Sequence, residues 1–129
     1  MNYKFRDSLY METILIVDDE IALSQILKEE LTEVGYTVYS VDSAEKALDH
    51  LRENRIDLML LDLNMPGKDG YFVLEEMEKE GIVLKVIVLT AYADLSSAIR
   101  SAKLGASDFI TKPYDLDELL VSIRKVLYM

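Results

Sequence analysis

The sequence has no cysteine, no tryptophan, two prolines and a single histidine. Without cysteine the chain can form no disulfide bond, no thiolate metal site and no thiol nucleophile. It also lacks any apolar run that approaches the roughly 20 residues of a membrane span. Basic residues are few, 14 against 24 acidic ones, and the net charge of −10 argues against direct binding to nucleic acid or to an anionic membrane surface. We therefore predict a cytoplasmic protein that binds neither.

The apolar content is sufficient for one domain. Half of the 129 residues are hydrophobic, and a chain of this length buries about two-thirds of the surface that it exposes when unfolded. Residues 1–11 show no periodicity and contain no apolar segment of the secretory-signal type. We predict that they are an N-terminal extension or the remnant of a tag, and that residues 12–129 form the domain.

Strand and helix patterns alternate five times after this segment. Runs of apolar and β-branched residues predict strands at 14–17, 37–41, 58–61, 86–89 and 109–110. Helical spacing predicts helices over 21–34, from a cap at 42, over 71–79, and from caps at 94 and 115 to residues 103 and 126. Short connections between alternating strands and helices favour a parallel sheet that is covered on both faces. The predicted fold is therefore α/β, a doubly wound five-stranded parallel sheet of flavodoxin-like order 2-1-3-4-5.

Local sequence also predicts how the helices begin and which way they face. Asp42 with Glu45 and Asp115 with Glu118 have the spacing of capping boxes, and Asp94 is a candidate N-cap. The single histidine, His50, is predicted to face solvent. The first helix is predicted to turn five apolar residues inward, namely Leu23, Ile26, Leu27, Leu31 and Val34.

Polar side chains follow four of the five predicted strands. Asp18 and Asp19 come after the first strand, Asp62 after the third, Thr90 ends the fourth and Lys112 follows the fifth. Since ligands of such sheets bind at the carboxyl ends of the strands, beside the switch point between strands one and three, we expect these side chains to share one site.

Three carboxylates at one site repel each other, so either their pKa values rise or a cation neutralises them. Oxygen ligands suit Mg²⁺, Mn²⁺ or Ca²⁺, and few protein ligands completed by water favour Mg²⁺ bound together with a phosphate. Lys112 and Thr90 add an ammonium group and a hydroxyl, which can neutralise charge on phosphoryl oxygens. A carboxylate can act as the nucleophile and form an aspartyl phosphate, and Asp62 is the candidate because it stands alone on the central strand.

From Thr13 to about Leu127, the chain resembles the receiver domains of two-component response regulators. Four motifs carry the resemblance. They are Val17-Asp18-Asp19-Glu20, then Leu61-Asp62-Leu63-Asn64-Met65-Pro66-Gly67 followed by Asp69-Gly70, then Leu89-Thr90-Ala91, and Asp108-Phe109-Ile110-Thr111-Lys112-Pro113.

The resemblance implies roles at the site. Asp62 would accept a phosphoryl group from a histidine kinase or a phosphotransfer protein. Asp19, Asp62 and the backbone carbonyl of Asn64 would ligate Mg²⁺, with Asp18 acting directly or through water. Lys112 would pair with the phosphoryl group, and the Lys112–Pro113 bond would be cis. Chemistry beyond Mg²⁺-dependent self-phosphorylation and self-dephosphorylation is not expected, so the chain is not predicted to be an enzyme.

The resemblance also implies a switch. Thr90 would move toward the phosphoryl group and Phe109, where relatives often have tyrosine, would turn inward behind it. The output surface for an effector domain or protein would be helix four, strand five and helix five, and a homodimer on phosphorylation stays open. Ser122 stands where many winged-helix regulators that dimerise through this surface have arginine. Two further residues at the mouth of the pocket, Asn64 and Tyr92, are predicted to tune the lifetime of the phosphoryl group.

Three other functions fit parts of the pattern. A haloacid-dehalogenase-like phosphatase also uses a strand-end Asp, a Thr and a Lys, but it needs an Asp two residues after its nucleophile on strand one, where this chain has Glu20. A flavodoxin-like electron carrier needs a Ser-, Thr- and Gly-rich first loop, which the acidic loop here does not provide. A degenerate receiver that only docks would not need the intact Asp, Thr and Lys set.

Overall fold

The computed structural model describes residues 11–128. The N-terminal extension predicted at residues 1–11 lies outside the described residues except for Met11. The strands are β1 (Thr13–Val17), β2 (Thr37–Val41), β3 (Leu58–Leu61), β4 (Lys85–Thr90) and β5 (Asp108–Thr111). The helices are α1 (Ile21–Val34), α2 (Ala44–Glu53), α3 (Gly70–Glu80), α4 (Leu95–Lys103) and α5 (Leu116–Leu127). No helix within the described range is long and apolar enough to cross a bilayer.

The five strands form one parallel sheet in the order β2-β1-β3-β4-β5, which confirms the predicted fold. The central strand β3 reads Leu-Met-Leu-Leu and is buried at every position. Because a parallel sheet has helices on both faces, such a strand needs apolar side chains in both directions. The order reverses between β1 and β3, so the carboxyl ends of these two strands border a crevice.

Alternate residues of the strands point to opposite faces and build two cores. Leu15 and Met59 belong to the core that α2 and α3 cover. Ile14 and Leu58, one position earlier on the same strands, belong to the core that α1 and α5 cover. Helices α2 and α3 thus cover one face of the sheet and α1 and α5 the other, and the polar strand ends lie beyond both cores.

Two of the predicted helix caps differ from the structure. Asp94 caps α4 as predicted, accepting a hydrogen bond from the backbone N–H of Ser97 at 2.7 Å. The N-cap of α2 is Ser43 and not Asp42, whose carboxylate forms an ion pair with Lys46 Nζ at 2.9 Å. Asp115 occupies the N-cap position of α5, but its side chain accepts no capping hydrogen bond, so the predicted capping boxes are wrong.

The predicted inward face of α1 is also wrong in part. Leu27 and Leu31 are buried. Leu23 and Ile26, on another side of the helix, are 52% and 56% exposed, and Val34 is exposed as well. The third buried residue of the helix is Ser24, because the stripe that contacts the sheet is rotated toward it. An apolar flank of α1 is therefore left in contact with solvent.

The prediction that His50 faces solvent is wrong, because the residue is half-buried. Its ring lies against that of Tyr39 on β2, with 5.0 Å between the ring centroids. An aromatic residue on the edge strand thus covers the imidazole.

Helix α4 is the least buried of the helices. Of the residues in Leu95–Lys103, only Ser101 is buried, and Leu95 and Ile99 are 76% and 47% exposed. The helix is fastened on one side by Arg100, whose guanidinium lies 3.9 Å from the centre of the Tyr71 ring on α3. A cation–π contact thus supplements the limited apolar packing of α4.

Candidate functional site

Four strands deliver polar side chains to one edge of the sheet. Asp18 follows β1 directly, Asp62 follows β3, Thr90 is the last residue of β4 and Lys112 follows β5. The strands are in register here, since Val17 pairs with Leu61 and Leu61 pairs with Val88. The parallel register therefore brings these residues, which are distant in sequence, to one site.

The ammonium group of Lys112 lies among three carboxylates. Its Nζ donates to Asp18 Oδ2 at 2.6 Å, to Asp62 Oδ2 at 3.0 Å and to Glu20 Oε1 at 3.3 Å. The lysine backbone is held in place as well, since its N–H donates to the carbonyl of Thr90 at 2.9 Å. The Lys112–Pro113 peptide bond is cis, as the resemblance implies.

The two buried aspartates are held by the backbone in the same way. Asp62 Oδ1 accepts a hydrogen bond from the N–H of Asn64 at 2.9 Å, and Asp18 Oδ1 accepts one from the N–H of Glu20 at 2.9 Å. In each carboxylate one oxygen therefore binds the chain two residues further on, and the other binds Lys112. Both residues are buried, so this arrangement fixes the orientation of their side chains.

Burial and charge act in opposite directions on the ionisable groups. Burial raises the pKa of Asp62 above its ordinary value, although the N–H of Asn64 and the ammonium of Lys112 both lower it. Burial lowers the pKa of Lys112, but the hydrogen bonds and charges of Asp18 and Asp62 outweigh this and hold its pKa above the ordinary value. The lysine is thus charged at neutral pH and partly balances the carboxylates.

The carboxylates suit a hard cation. Asp18, Glu20 and Asp62 each offer an oxygen, and these oxygens all lie within 4.8 Å of one another. Asp19, which the resemblance assigns to the metal, is not a member of this group and is half-buried next to it. An all-oxygen donor set that is open to water on one side fits Mg²⁺.

Glu20 is the member of this group to which sequence reasoning gave no role. It precedes the first residue of α1 and occupies the N-cap position, where a glutamate usually marks only the first turn of a helix. Its side chain makes no capping hydrogen bond and reaches Lys112 instead. The one signal in the sequence is its place directly after the two aspartates.

The predicted switch and lifetime residues differ in their burial. Thr90 is fully buried, and its Oγ1 accepts a hydrogen bond from the N–H of Tyr92 at 3.2 Å. Tyr92 is 65% exposed and Asn64 is exposed too, which puts both side chains toward solvent. Phe109 is half-buried and packs against the core that α2 and α3 cover.

A second polar cluster joins β5 to α5. Asp108 Oδ1 accepts a hydrogen bond from the N–H of Phe109 at 2.8 Å, and its Oδ2 accepts one from Ser122 Oγ at 2.5 Å. Lys125 Nζ lies 3.7 Å from the same carboxylate. Ser122 stands where many winged-helix regulators that dimerise through this surface have arginine. In this structure its hydroxyl donates to Asp108 of the same chain.

A cavity of about 510 Å³ opens beside the site, between α1 and the segment after β5. Its apolar wall includes the exposed Leu23 and Ile26 together with Tyr114, and Asp62 and Lys112 lie at its polar end. The uncovered flank of α1 is therefore continuous with the charged site.

The structure is a doubly wound sheet with a buried aspartate, a lysine and further carboxylates at its switch point. This combination is that of a class of signalling domains, and the comparisons with known proteins place the chain in the same class. The family model described as response regulator receiver domain matches residues 14–124, so the chain belongs to that family. It is 43% identical over 116 residues to the probable transcriptional regulator ycf27 of Porphyridium aerugineum, covering 90% of this chain and 48% of that protein. It is 37% identical over 116 residues to sporulation initiation phosphotransferase F of Bacillus subtilis, covering 90% of this chain and 94% of that protein.

A solved structure gives the same result. The response regulator protein TrrA of Thermotoga maritima, crystallised in complex with Mg²⁺-BeF, is 38% identical and has a TM-score of 0.81, covering 91% of this chain and 100% of that one. The chain thus spans about half the length of the transcriptional regulator ycf27 and nearly all of phosphotransferase F.

Proposed function

We propose that this receiver domain is a phosphoacceptor switch in which Asp62 takes a phosphoryl group from a histidine kinase or a phosphotransfer protein. The observation that carries the proposal is the contact of a buried aspartate with a half-buried lysine, Asp62 Oδ2 to Lys112 Nζ at 3.0 Å, at the carboxyl ends of the strands. Family membership supports two-component signalling in general, and the relative named a phosphotransferase supports the transfer reaction.

In the proposed step a carboxylate oxygen of Asp62 attacks the phosphorus of a phosphohistidine. The new P–O bond forms as the P–N bond breaks, and the imidazole nitrogen keeps the electron pair and then takes a proton from solvent. Lys112 neutralises the charge that grows on the phosphoryl oxygens.

Mg²⁺ is the proposed cofactor, with Mn²⁺ or Ca²⁺ as substitutes. Asp18, Asp19, Asp62 and the backbone carbonyl of Asn64 would hold the ion, which would supply positive charge for the phosphoryl oxygens. Two of these residues, Asp18 and Asp62, have carboxylate oxygens within 4.8 Å of each other and of a Glu20 oxygen, which supports a cation here. TrrA was crystallised with Mg²⁺-BeF.

The exposed flank of α1 is the proposed docking surface for the phosphodonor. A donor histidine must approach the polar end of the cavity where Asp62 lies, and Leu23 and Ile26 form the apolar wall of that same cavity. Contact with these residues would place the imidazole beside the carboxylate. The output surface is proposed on α4, β5 and α5, where Thr90 and Phe109 would transmit the change to an effector domain or protein, with a homodimer as one form of output.

The test is the intact mass of the protein after incubation with acetyl phosphate and Mg²⁺. We expect a single phosphoryl adduct in the wild type, and none in Asp62→Asn or when Mg²⁺ is withheld. Asp49→Asn changes an exposed aspartate on α2 in the same way and should leave the adduct intact. An adduct that persists in Asp62→Asn would place the phosphoacceptor elsewhere, and no adduct in any protein would favour a docking module that is not phosphorylated.

Tyr92 is proposed to slow hydrolysis of the phosphoryl group, with Asn64 as a second residue that tunes its lifetime. The tyrosine is tethered to the site through the bond from its N–H to Thr90 Oγ1, and its ring can hinder an attacking water. Tyr92→Ala should hydrolyse faster than the wild type after the donor is removed. An unchanged hydrolysis rate would show that the ring does not shield the site.

A further inference from the structure

Glu20 is the one carboxylate of the acidic group that faces solvent. Its side chain is 54% exposed, against 11% for Asp18 and 7% for Asp62. It lies at the entrance of the site, because it contacts Lys112 Nζ at 3.3 Å and lines the cavity that leads to Asp62. A molecule that approaches Asp62 through this cavity therefore passes close to its charge.

The charges around the entrance do not cancel. Asp18, Asp19, Glu20 and Asp62 carry four negative charges, while Lys112 and a divalent cation would carry three positive ones. The site would then keep one net negative charge, and Glu20 is its exposed carboxylate. Among the described residues that line the cavity, Lys112 is the only cationic side chain, and Glu30 adds another acidic one.

We propose that Glu20 is a specificity-determining residue that slows phosphorylation by free phosphodonors in proportion to their negative charge. This inference rests on the proposed function of Asp62. A small dianion gains no contact that offsets repulsion by Glu20. A protein donor can offset it, since the apolar flank formed by Leu23 and Ile26 supplies binding surface beside the site. Water is neutral, so this repulsion does not act on the water molecule that hydrolyses the phosphoryl group.

The expected size follows from the charges. A dianion that comes within about 6 Å of one negative charge in a water-like dielectric is repelled, and the repulsion lowers its encounter rate by about tenfold. Salt screens charges over about 8 Å at physiological ionic strength, so the factor falls to roughly threefold there and vanishes in concentrated salt. Removing the charge of Glu20 should therefore speed phosphorylation by about three- to tenfold, with the larger value at low salt.

The experiment compares Glu20→Gln with Glu33→Gln, which removes an exposed charge of the same type near the other end of α1. Phosphorylation rates with Mg²⁺ are measured at low and high salt for two donors, the doubly charged acetyl phosphate and the singly charged zwitterion phosphoramidate. We expect Glu20→Gln to accelerate the acetyl phosphate reaction more than the phosphoramidate reaction, and only at low salt. Glu33→Gln should behave as the wild type in phosphorylation and in hydrolysis.

Mg²⁺ affinity, measured by calorimetric titration without any donor, separates this role from metal ligation. If Glu20→Gln binds Mg²⁺ about tenfold more weakly and is not phosphorylated faster, Glu20 is a metal ligand and the inference is wrong. Equal acceleration for both donors, or none, would also overturn it. If the wild type itself forms no adduct with either donor, the proposed function fails first, which is a distinct result.

Discussion

Gly70 provides the sharpest test of how the loop that carries Asp62 is built. A Cβ atom added at this position would lie 2.5 Å from the backbone oxygen of Asp62 and 2.8 Å from the Cα of Leu63. Both neighbours are backbone atoms, so no side-chain rotation can relieve the contact. The N–H of Gly70 also donates to the carbonyl of Leu63 at 3.1 Å, which ties the start of α3 to the same loop.

Two effects of Gly70→Ala have opposite signs. Gly70 is the first residue of α3, and replacing a helical glycine by alanine would by itself stabilise the protein by about 0.4–1 kcal/mol. Forcing one extra carbon into a filled space costs about 1–3 kcal/mol. The contact distances are shorter than carbon atoms accept, so we expect the second effect to prevail and the variant to lose about 1–2 kcal/mol.

Urea unfolding followed by circular dichroism measures the stability, and intact mass with acetyl phosphate measures the site. We expect lower stability together with slower phosphorylation of Asp62, because the relief of the contact must shift the backbone of this residue. Gly81→Ala is the control, since its added carbon meets nothing within 4 Å and only its left-handed φ of 70° is strained. It should lose stability but not phosphorylation. Gly70→Ala with wild-type or higher stability and an unchanged rate would refute the reasoning.

Three further predictions have defined outcomes. Ser43→Ala removes the hydroxyl that accepts a hydrogen bond from the N–H of Lys46, and should lower the free energy of unfolding by about 1 kcal/mol in urea titration. Asp115→Ala removes no capping hydrogen bond and should lower the free energy of unfolding less in the same titration. Asp62→Asn should raise the melting temperature of the metal-free protein at pH 7. Burial raises the pKa of Asp62 above 3.8, so its charge costs stability as pH rises through this region, and the gain should disappear in melts at lower pH. Ser122→Ala should cost about 1.5–3 kcal/mol, because it removes a bond to a charged partner, and a loss below about 0.5 kcal/mol would show that water replaces the hydroxyl.

The positions of the site residues were predictable because they depend on strand ends. A parallel sheet brings Asp18, Asp62 and Lys112 together wherever three short apolar runs end in polar residues, and the pattern of the runs is visible in the sequence. The register does not depend on side-chain rotamers, so the site could be predicted without them.

The misplaced residues depend on what covers a surface, which periodicity does not report. Leu23 and Ile26 have the spacing of a buried face, but the crevice beside the switch point leaves their flank uncovered. Glu20 could not be assigned because a rotamer decides whether a glutamate before a helix binds the helix or a distant lysine. Asp42 lost the cap of α2 to Ser43 for a similar reason, since Lys46 competes for its carboxylate.

The weak anchorage of α4 has a consequence for the energy that a switch requires. The free energy of displacing a helix grows with the apolar surface that it must uncover, and α4 has Ser101 as its only buried residue. Its contact between Arg100 and Tyr71 contributes on the order of 0.5–1 kcal/mol at an exposed site. A displacement of α4 therefore lies within the few kcal/mol that new charge-assisted hydrogen bonds to a phosphoryl group supply. The helices that seal the cores would need several times more, so the proposed phosphorylation would displace α4 more readily than any of those helices.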